Sequence, residues 1–163
     1  MKNWFLQFKI NNLKKSRENR GNISFEKAKN FGFIFNSVDE FKKNAAVLKD
    51  LESLSKNVFV IVQYKNKKDE KPNFRFFNMN QVGVFGKIIS EDLLNFNKEK
   101  LDFLFYFGKS KNQLIEYTLL KNNAKCRVGY FKEGNEYLFD LMFDKFKSEN
   151  EILEKIKQIR VNE

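Results

Sequence analysis

The chain has 163 residues and a formal net charge of +10, with 31 lysines and arginines against 21 acidic residues. That length suits one domain able to bury a real core, and an apolar content of 42% excludes a disordered chain. There is no histidine and one cysteine, Cys126, which excludes a Cys/His zinc site, a Ser–His–Asp or Cys–His mechanism in its usual form, and an intramolecular disulfide.

Twenty phenylalanines beside one proline and seven glycines favour long regular elements with large buried side chains. Residues 1–20 read as a basic helix whose apolar positions fall into two clusters, Trp4, Phe5 and Phe8 on one side and Leu6, Ile10 and Leu13 on another. A helix lying on a membrane needs a single apolar face, so the segment is expected to be an N-terminal arm docked partly on the body. Phe31 to Asn36 read as the first strand. Ser37 and Glu40 then make a capping box for a helix running to about Ser55, with Val38, Phe41, Ala45, Leu48 and Leu51 on its buried face. The β-branched run Val58 to Tyr64 has the pattern of a strand covered on both faces. A polar loop from Lys65 to Lys71 precedes Pro72 and a short strand near Phe74 to Phe77. Val82 to Ile89 reads as extended, with Gly83 and Gly86 as irregularities, and Leu101 to Phe107 as a buried strand.

Ser110 and Gln113 are expected to cap a helix reaching about Asn122. Cys126 to Phe131 and Tyr137 to Phe143 read as two strands joined by the turn Lys132 to Glu136. Ser148 and Glu151 cap a last helix with Ile152, Ile156 and Ile159 as its core stripe. Strand–helix–strand order, occurring twice, predicts an α/β three-layer sandwich with a mostly parallel, Rossmann-like sheet behind a basic N-terminal helix. The expected division is an arm over residues 1–22 and one α/β domain over 23–163.

Few motifs carry chemistry. Phe107-Gly108-Lys109-Ser110 sits between a strand and a helix, but the second glycine of a phosphate-binding loop is replaced by Phe103 inside the strand. Gly83-Val84-Phe85-Gly86 has the spacing of an RNA-clamping GxxG loop without the flanking helices, so a bulge or a tight backbone contact is expected there instead. Asp39, Glu40, Asp92, Asp102, Asp140 and Asp144 are the carboxylates available for acid–base work. Asp102 and Asp140, in or beside strands, are expected to be buried with raised pKa values. No spacing pairs any of them, so no catalytic residue, metal site or cofactor is assigned. Cys126, in an apolar strand pattern, is expected to be a buried, inert thiol.

Charge is the more informative feature. Residues 1–30 hold eight basic side chains (Lys2, Lys9, Lys14, Lys15, Arg17, Arg20, Lys27 and Lys29) against Glu18 and Glu26, a net +6 of the chain's +10. Lys65, Lys67, Lys68, Lys71 and Arg75 form a second cluster. The leading functional expectation is a non-enzymatic binding protein contacting RNA, the ribosome included, through Lys14, Lys15, Arg17, Arg20, Lys27, Lys65, Lys67 and Lys68, with Trp4, Phe74 or Phe76 available for stacking. The alternative is a small-molecule or nucleotide-sugar binding domain, or an enzyme, working at the C-terminal edge of the sheet through Asn36, Ser37, Gly108, Lys109 and Ser110, with Asp140 more remote. A third reading is a structural partner in a protein complex, for which an exposed Phe patch would be the sign. The stretch Met1 to Ile10 does not read as a signal peptide, and no run of about 18 apolar residues marks a membrane span, so the expected compartment is the cytoplasm.

The stretch Ser24 to Asn36 resembles the opening of a family of small proteins from Bacteroidota catalogued as a domain of unknown function. Leu101 to Phe105, Ala124 to Gly129 and Tyr137 to Met142 are similar to it as well, as is a basic helix before the first strand. That resemblance implies a cytoplasmic α/β domain and brings no activity with it. Residues 101–131 more faintly resemble part of the N-terminal half of heptosyltransferase-type glycosyltransferases, which implies a shared layer order only.

Overall fold

In a computed structural model, residues 2–15, 23–64, 74–108, 112–144 and 148–158 are described. The element order is α1 (Lys2–Lys15), β1 (Asn30–Phe35), α2 (Val38–Lys43), α3 (Ala45–Ser53), β2 (Asn57–Gln63), β3 (Phe76–Phe77), α4 (Glu91–Lys98), β4 (Phe103–Tyr106), α5 (Gln113–Lys121), β5 (Cys126–Tyr130), β6 (Leu141–Phe143) and α6 (Glu149–Lys157). Single 3₁₀ turns at Met79–Gln81, Val84–Gly86 and Glu136–Leu138 complete the list.

The six strands form one sheet in the order β3-β2-β1-β4-β5-β6, every pair parallel. This is the Rossmann order, in which the chain works outward from β1 in both directions. Alternation along β1 and β4 explains the phenylalanine content. Phe31, Phe33 and Phe35 project to one face, in register with Phe103 and Phe105. Their rings stack across the strands, 5.4 Å apart for Phe31–Phe103 and 4.7 Å for Phe33–Phe105. α3 and α6 cover this aromatic face with Val47, Leu48, Leu51, Ile152, Leu153 and Ile156. The opposite face carries Ile34, Leu104 and Tyr106, covered by α1, α4 and α5 through Leu6, Ile10, Leu93, Phe96, Leu114 and Leu119. Two hydrophobic layers around a buried parallel sheet follow from strands that are apolar on both sides.

The N-terminal helix uses its second apolar cluster to pack. Leu6 and Ile10 are fully buried, whereas Trp4 and Phe8 are 66% and 56% exposed. Gly86 lies so close beneath α1 that a β-carbon there would sit 3.2 Å from the backbone nitrogen of Leu6, and its carbonyl accepts from Lys9 Nζ at 2.9 Å.

Several local expectations need correction. The helix after β1 is interrupted at Asn44, which ends α2 and begins α3. Glu40 turns its carboxylate to the N–H of Asn36, not Ser37, while Ser37 Oγ still accepts from the Glu40 N–H. Residues 82–89 are not an extended strand: they are a 3₁₀ turn closed by one antiparallel bridge between Val82 and Ile88. Helix α4 has no counterpart among the expected elements. Ser90 caps it through the Leu93 N–H, with Glu91 and Asp92 in the first turn, where the helix dipole favours them. The cap of α5 is Asn112, whose side chain accepts from Leu114 and Ile115, and not Ser110. Strands β5 and β6 are parallel, with Val128 opposite Leu141, so the turn between them is a crossover and not a hairpin. The capping box of Ser148 and Glu151 is present in full; Ile159 lies outside the described residues.

Candidate functional site

An open α/β sheet leaves a crevice where consecutive crossovers diverge to opposite faces, and ligands commonly occupy it at the carboxyl ends of the strands. Here that point lies between β1 and β4, since α2 and α3 leave toward the aromatic face and α5 toward the other. The crevice is plugged. Tyr106 donates its hydroxyl to Asn36 Oδ1 at 3.0 Å across the gap. Gly108 has no room for a side chain: a β-carbon would fall 1.9 Å from Asn36 Nδ2 and 2.3 Å from the Tyr106 hydroxyl. The backbone N–H of Asn36, just ahead of α2, is also taken, by Glu40 Oε2 at 2.6 Å. Burial pushes the Glu40 carboxyl up, the Asn36 N–H pulls it down, and the nearby Glu149 charge adds to the rise.

The open space lies one to two strands away. Parallel strands normally need a crossover of about a dozen or more residues, most often a helix. Between β5 and β6 only residues 131–140 are available, and they form a single 3₁₀ turn. A full helix would fill the space beside α5; the short turn leaves a cavity of about 950 Å³ above the ends of β4, β5 and β6. That volume is at the upper end of the range for small-molecule sites.

Aromatic rings contribute to the walls through Tyr106, Phe131, Tyr137 and Phe139; Tyr130 and Phe143 also line the cavity, although their rings pack with the aromatic layer on the other face of the sheet. Phe139 is 4% exposed and seats directly on β5, because a β-carbon on Gly129 would lie 2.4 Å from its ring. Polar groups enter from α5 and the crossover. Asn112 lines the cavity while its side chain caps α5 and donates to Gln63 Oε1 at 3.0 Å. Glu116 accepts the Tyr137 hydroxyl proton and lies 3.2 Å from Lys14 Nζ, which also sits 3.8 Å over the Tyr137 ring. Beneath the wall, the fully buried Arg127 donates to the Leu119 carbonyl at 3.1 Å, and Asp140 accepts the Arg127 N–H at 2.7 Å.

Two of the lining tyrosines hold their protons more tightly than a free tyrosine. Burial, and then the carboxylates of Glu149, Glu40 and Glu151, push Tyr130 up to about 12. Burial followed by the Glu116 hydrogen bond and charge raises Tyr137 further above the usual tyrosine range. Among the described lining residues there is no serine, threonine or cysteine, and among all described residues no group of three metal-ligating side chains.

The chain belongs to a family of unknown function, DUF6913, whose profile spans residues 2–159. No curated protein and no solved structure gives a significant match. Membership therefore brings no function with it, and the sheet architecture comes from the structure.

The structure places the sequence candidates as follows. Gly108 lines the cavity; Asn36 and Ser37 stand at the plugged crevice and do not; Lys109 and Ser110 lie outside the described residues. Of the basic set, Lys14 faces Glu116 and Tyr137, and Lys27 is exposed. Lys15 lies in α1, while Arg17, Arg20, Lys65, Lys67 and Lys68 lie outside the described residues. Asp140, expected to be buried, is exposed; Asp102 is buried as expected, but its carboxyl is not raised. Burial alone pushes it up, yet hydrogen bonds from Lys125 and the N–H groups of Lys29 and Asn30 outweigh this and hold it low. It ties β1, β4 and β5 together at the end of the sheet away from the cavity. Asp92 accepts the Phe76 N–H and serves the β3 edge. Cys126 is buried. No described helix is long and apolar enough to cross a membrane.

Proposed function

We propose that this chain is a small-molecule binding domain whose ligand occupies the cavity above β4, β5 and β6. The observation that carries this reading is a cavity of about 950 Å³ at the carboxyl edge of a Rossmann-ordered sheet, walled by rings and edged by Asn112, Glu116 and Asn135. Such a mix of apolar wall and a few polar groups suits a flat organic ligand. Gly108 leads directly into Lys109 and Ser110, which stay in the proposal as ligand contacts. The test is a thermal-shift and NMR fragment screen against wild type and Met142→Trp, since Met142 lines the cavity and is 38% exposed. Fragments should shift the amides of Gly108 and Gly134 in wild type and lose at least tenfold in affinity in the variant. Hits that bind both forms equally, or the lack of any hit, would overturn the reading.

A second reading, contact with RNA or the ribosome, is favoured by the net +6 carried by residues 1–30. Lys15, Arg17 and Arg20 are its proposed phosphate contacts, with Lys27, Lys65, Lys67 and Lys68 supporting. Lys14 is better left in place in any test because it pairs with Glu116. Charge reversal of Lys15, Arg17 and Arg20 together should remove salt-sensitive binding to a U12 oligonucleotide while leaving Tm unchanged. Unaltered binding would remove the arm from this role.

A further inference from the structure

The outward face of α1 is built unlike a solvated helix face. Trp4 and Phe8, one turn apart, are 66% and 56% exposed, and their rings stack at 6.2 Å with an interplanar angle of 18°. Phe5 meets Trp4 edge-on at 4.9 Å and Phe85 edge-on at 5.1 Å, and Phe85 itself is 65% exposed. Phe85 holds a left-handed backbone, φ 60°, a conformation that a residue with a side chain adopts only at a cost. Four rings thus form a continuous patch with three of them largely in water. Asn11 and Asn12 are exposed farther along the helix, which ends at Lys15.

We infer that this face is a stacking platform for single-stranded RNA, with bases laid on Trp4 and Phe8. The inference rests on the RNA reading above and names the part of the surface that would recognise bases. Three observations favour this occupant. The helix sequence has four lysines and no acidic residue; Lys9 bonds the Gly86 carbonyl and Lys14 pairs with Glu116, so the attraction for a polyanion rests on Lys2 and Lys15. Aromatic rings followed by amides and a lysine match base faces, base edges and phosphates in turn. A lipid surface would instead need the apolar side chains on one outward face, and Leu6 and Ile10 are turned inward and fully buried.

The chain contains a single tryptophan, so intrinsic fluorescence reports on Trp4 alone. Full-length protein is titrated with U12 and, separately, with vesicles of phosphatidylglycerol and phosphatidylcholine. Stacking requires that U12 quench the Trp4 emission, and that Trp4→Ala/Phe8→Ala weaken U12 binding by about thirtyfold or more with Tm unchanged, from about 1–3 kcal/mol for each of two stacked bases. Salt-sensitive U12 binding that neither quenches Trp4 nor responds to the double variant would overturn the platform while leaving the basic residues as an RNA contact. No U12 binding at low salt would overturn both. A blue shift with vesicles in place of quenching by U12 would assign the face to a membrane surface and overturn the inference.

Discussion

Gly129→Ala probes the cavity wall directly. A methyl at this position would lie 2.4 Å from two carbons of the Phe139 ring and 2.7 Å from a third. Favourable carbon–carbon contact begins at about 3.5 Å, so the ring must retreat by about 1 Å. It has little freedom to do so, being 4% exposed and packed with Leu119, Leu138 and Tyr106 in the core. Overpacking of this kind costs about 1–3 kcal/mol. At about 2–4 °C per kcal/mol for a chain of this size, the variant should melt about 2–12 °C below wild type. The control is the same substitution in a Phe139→Leu background, where the opposing ring is gone and the methyl should cost less than about 0.5 kcal/mol, a coupling that urea melts of the four-variant cycle would resolve. Equal destabilisation in both backgrounds, or a Gly129→Ala melt within about 1 °C of wild type, would refute the seating of Phe139 on β5. The origin of the cavity wall would then need another account.

Two further expectations concern pH. Asp102 has a folded pKa below its unfolded value, so its contribution is present above about pH 4 and is lost as pH falls through the depressed folded value. Asp102→Asn should therefore be less stable at pH 7 and show a shallower acid limb, checked by urea melts from neutral pH downward; an unchanged limb would contradict the three hydrogen bonds described. Tyr117, Tyr130 and Tyr137 are all raised, so their stabilisation is intact below about pH 10 and is lost as pH climbs through the folded values. Absorbance at 295 nm should show tyrosine ionisation extending well above pH 10, and Tyr130→Phe/Tyr137→Phe should remove that late part and flatten the alkaline limb of the stability curve.

Most strands could be read from the sequence because their signal is local. The Phe31–Phe35 and Val58–Gln63 runs are apolar on both faces, and only a buried parallel strand tolerates that. Local signal misled where density stood in for direction. Val82, Val84, Ile88 and Ile89 have strand composition, yet Gly86 must pass beneath α1, and the chain coils into a 3₁₀ turn to let it. Turn chemistry at Lys132 to Glu136 suits a hairpin, but β6 finds its partner by crossing to the parallel side of β5, which no short-range pattern encodes. Helix α4 did carry its signature, Ser90 before two acidic residues with Leu93 and Phe96 on one face. The cavity was least visible. Lys14, Glu116 and Tyr137 meet across three distant segments, and nothing in their spacing announces it. Arg127, sitting in an apolar strand pattern, gave the one available hint that a polar contact lay beneath that part of the sheet.

The position of the cavity follows from where helices are present and where one is missing. In a Rossmann-ordered sheet the crevice between β1 and β4 exists whatever the sequence, because their following helices leave to opposite faces. This chain fills it with Tyr106, Asn36 and a glycine that cannot be enlarged, and turns Glu40 onto the backbone N–H at the start of α2 that a phosphate would use. A dinucleotide bound in the usual manner would have to break those contacts and face a carboxylate. The ten-residue crossover between β5 and β6 has the opposite effect: it is too short to cover the sheet, and the edge of α5 is left facing open space. Open space is thus moved from a crevice that the topology supplies to one made by a shortened connection, and on the proposed binding reading the substitutions that matter are expected in residues 131–144 and on α5, not in the loop after β1.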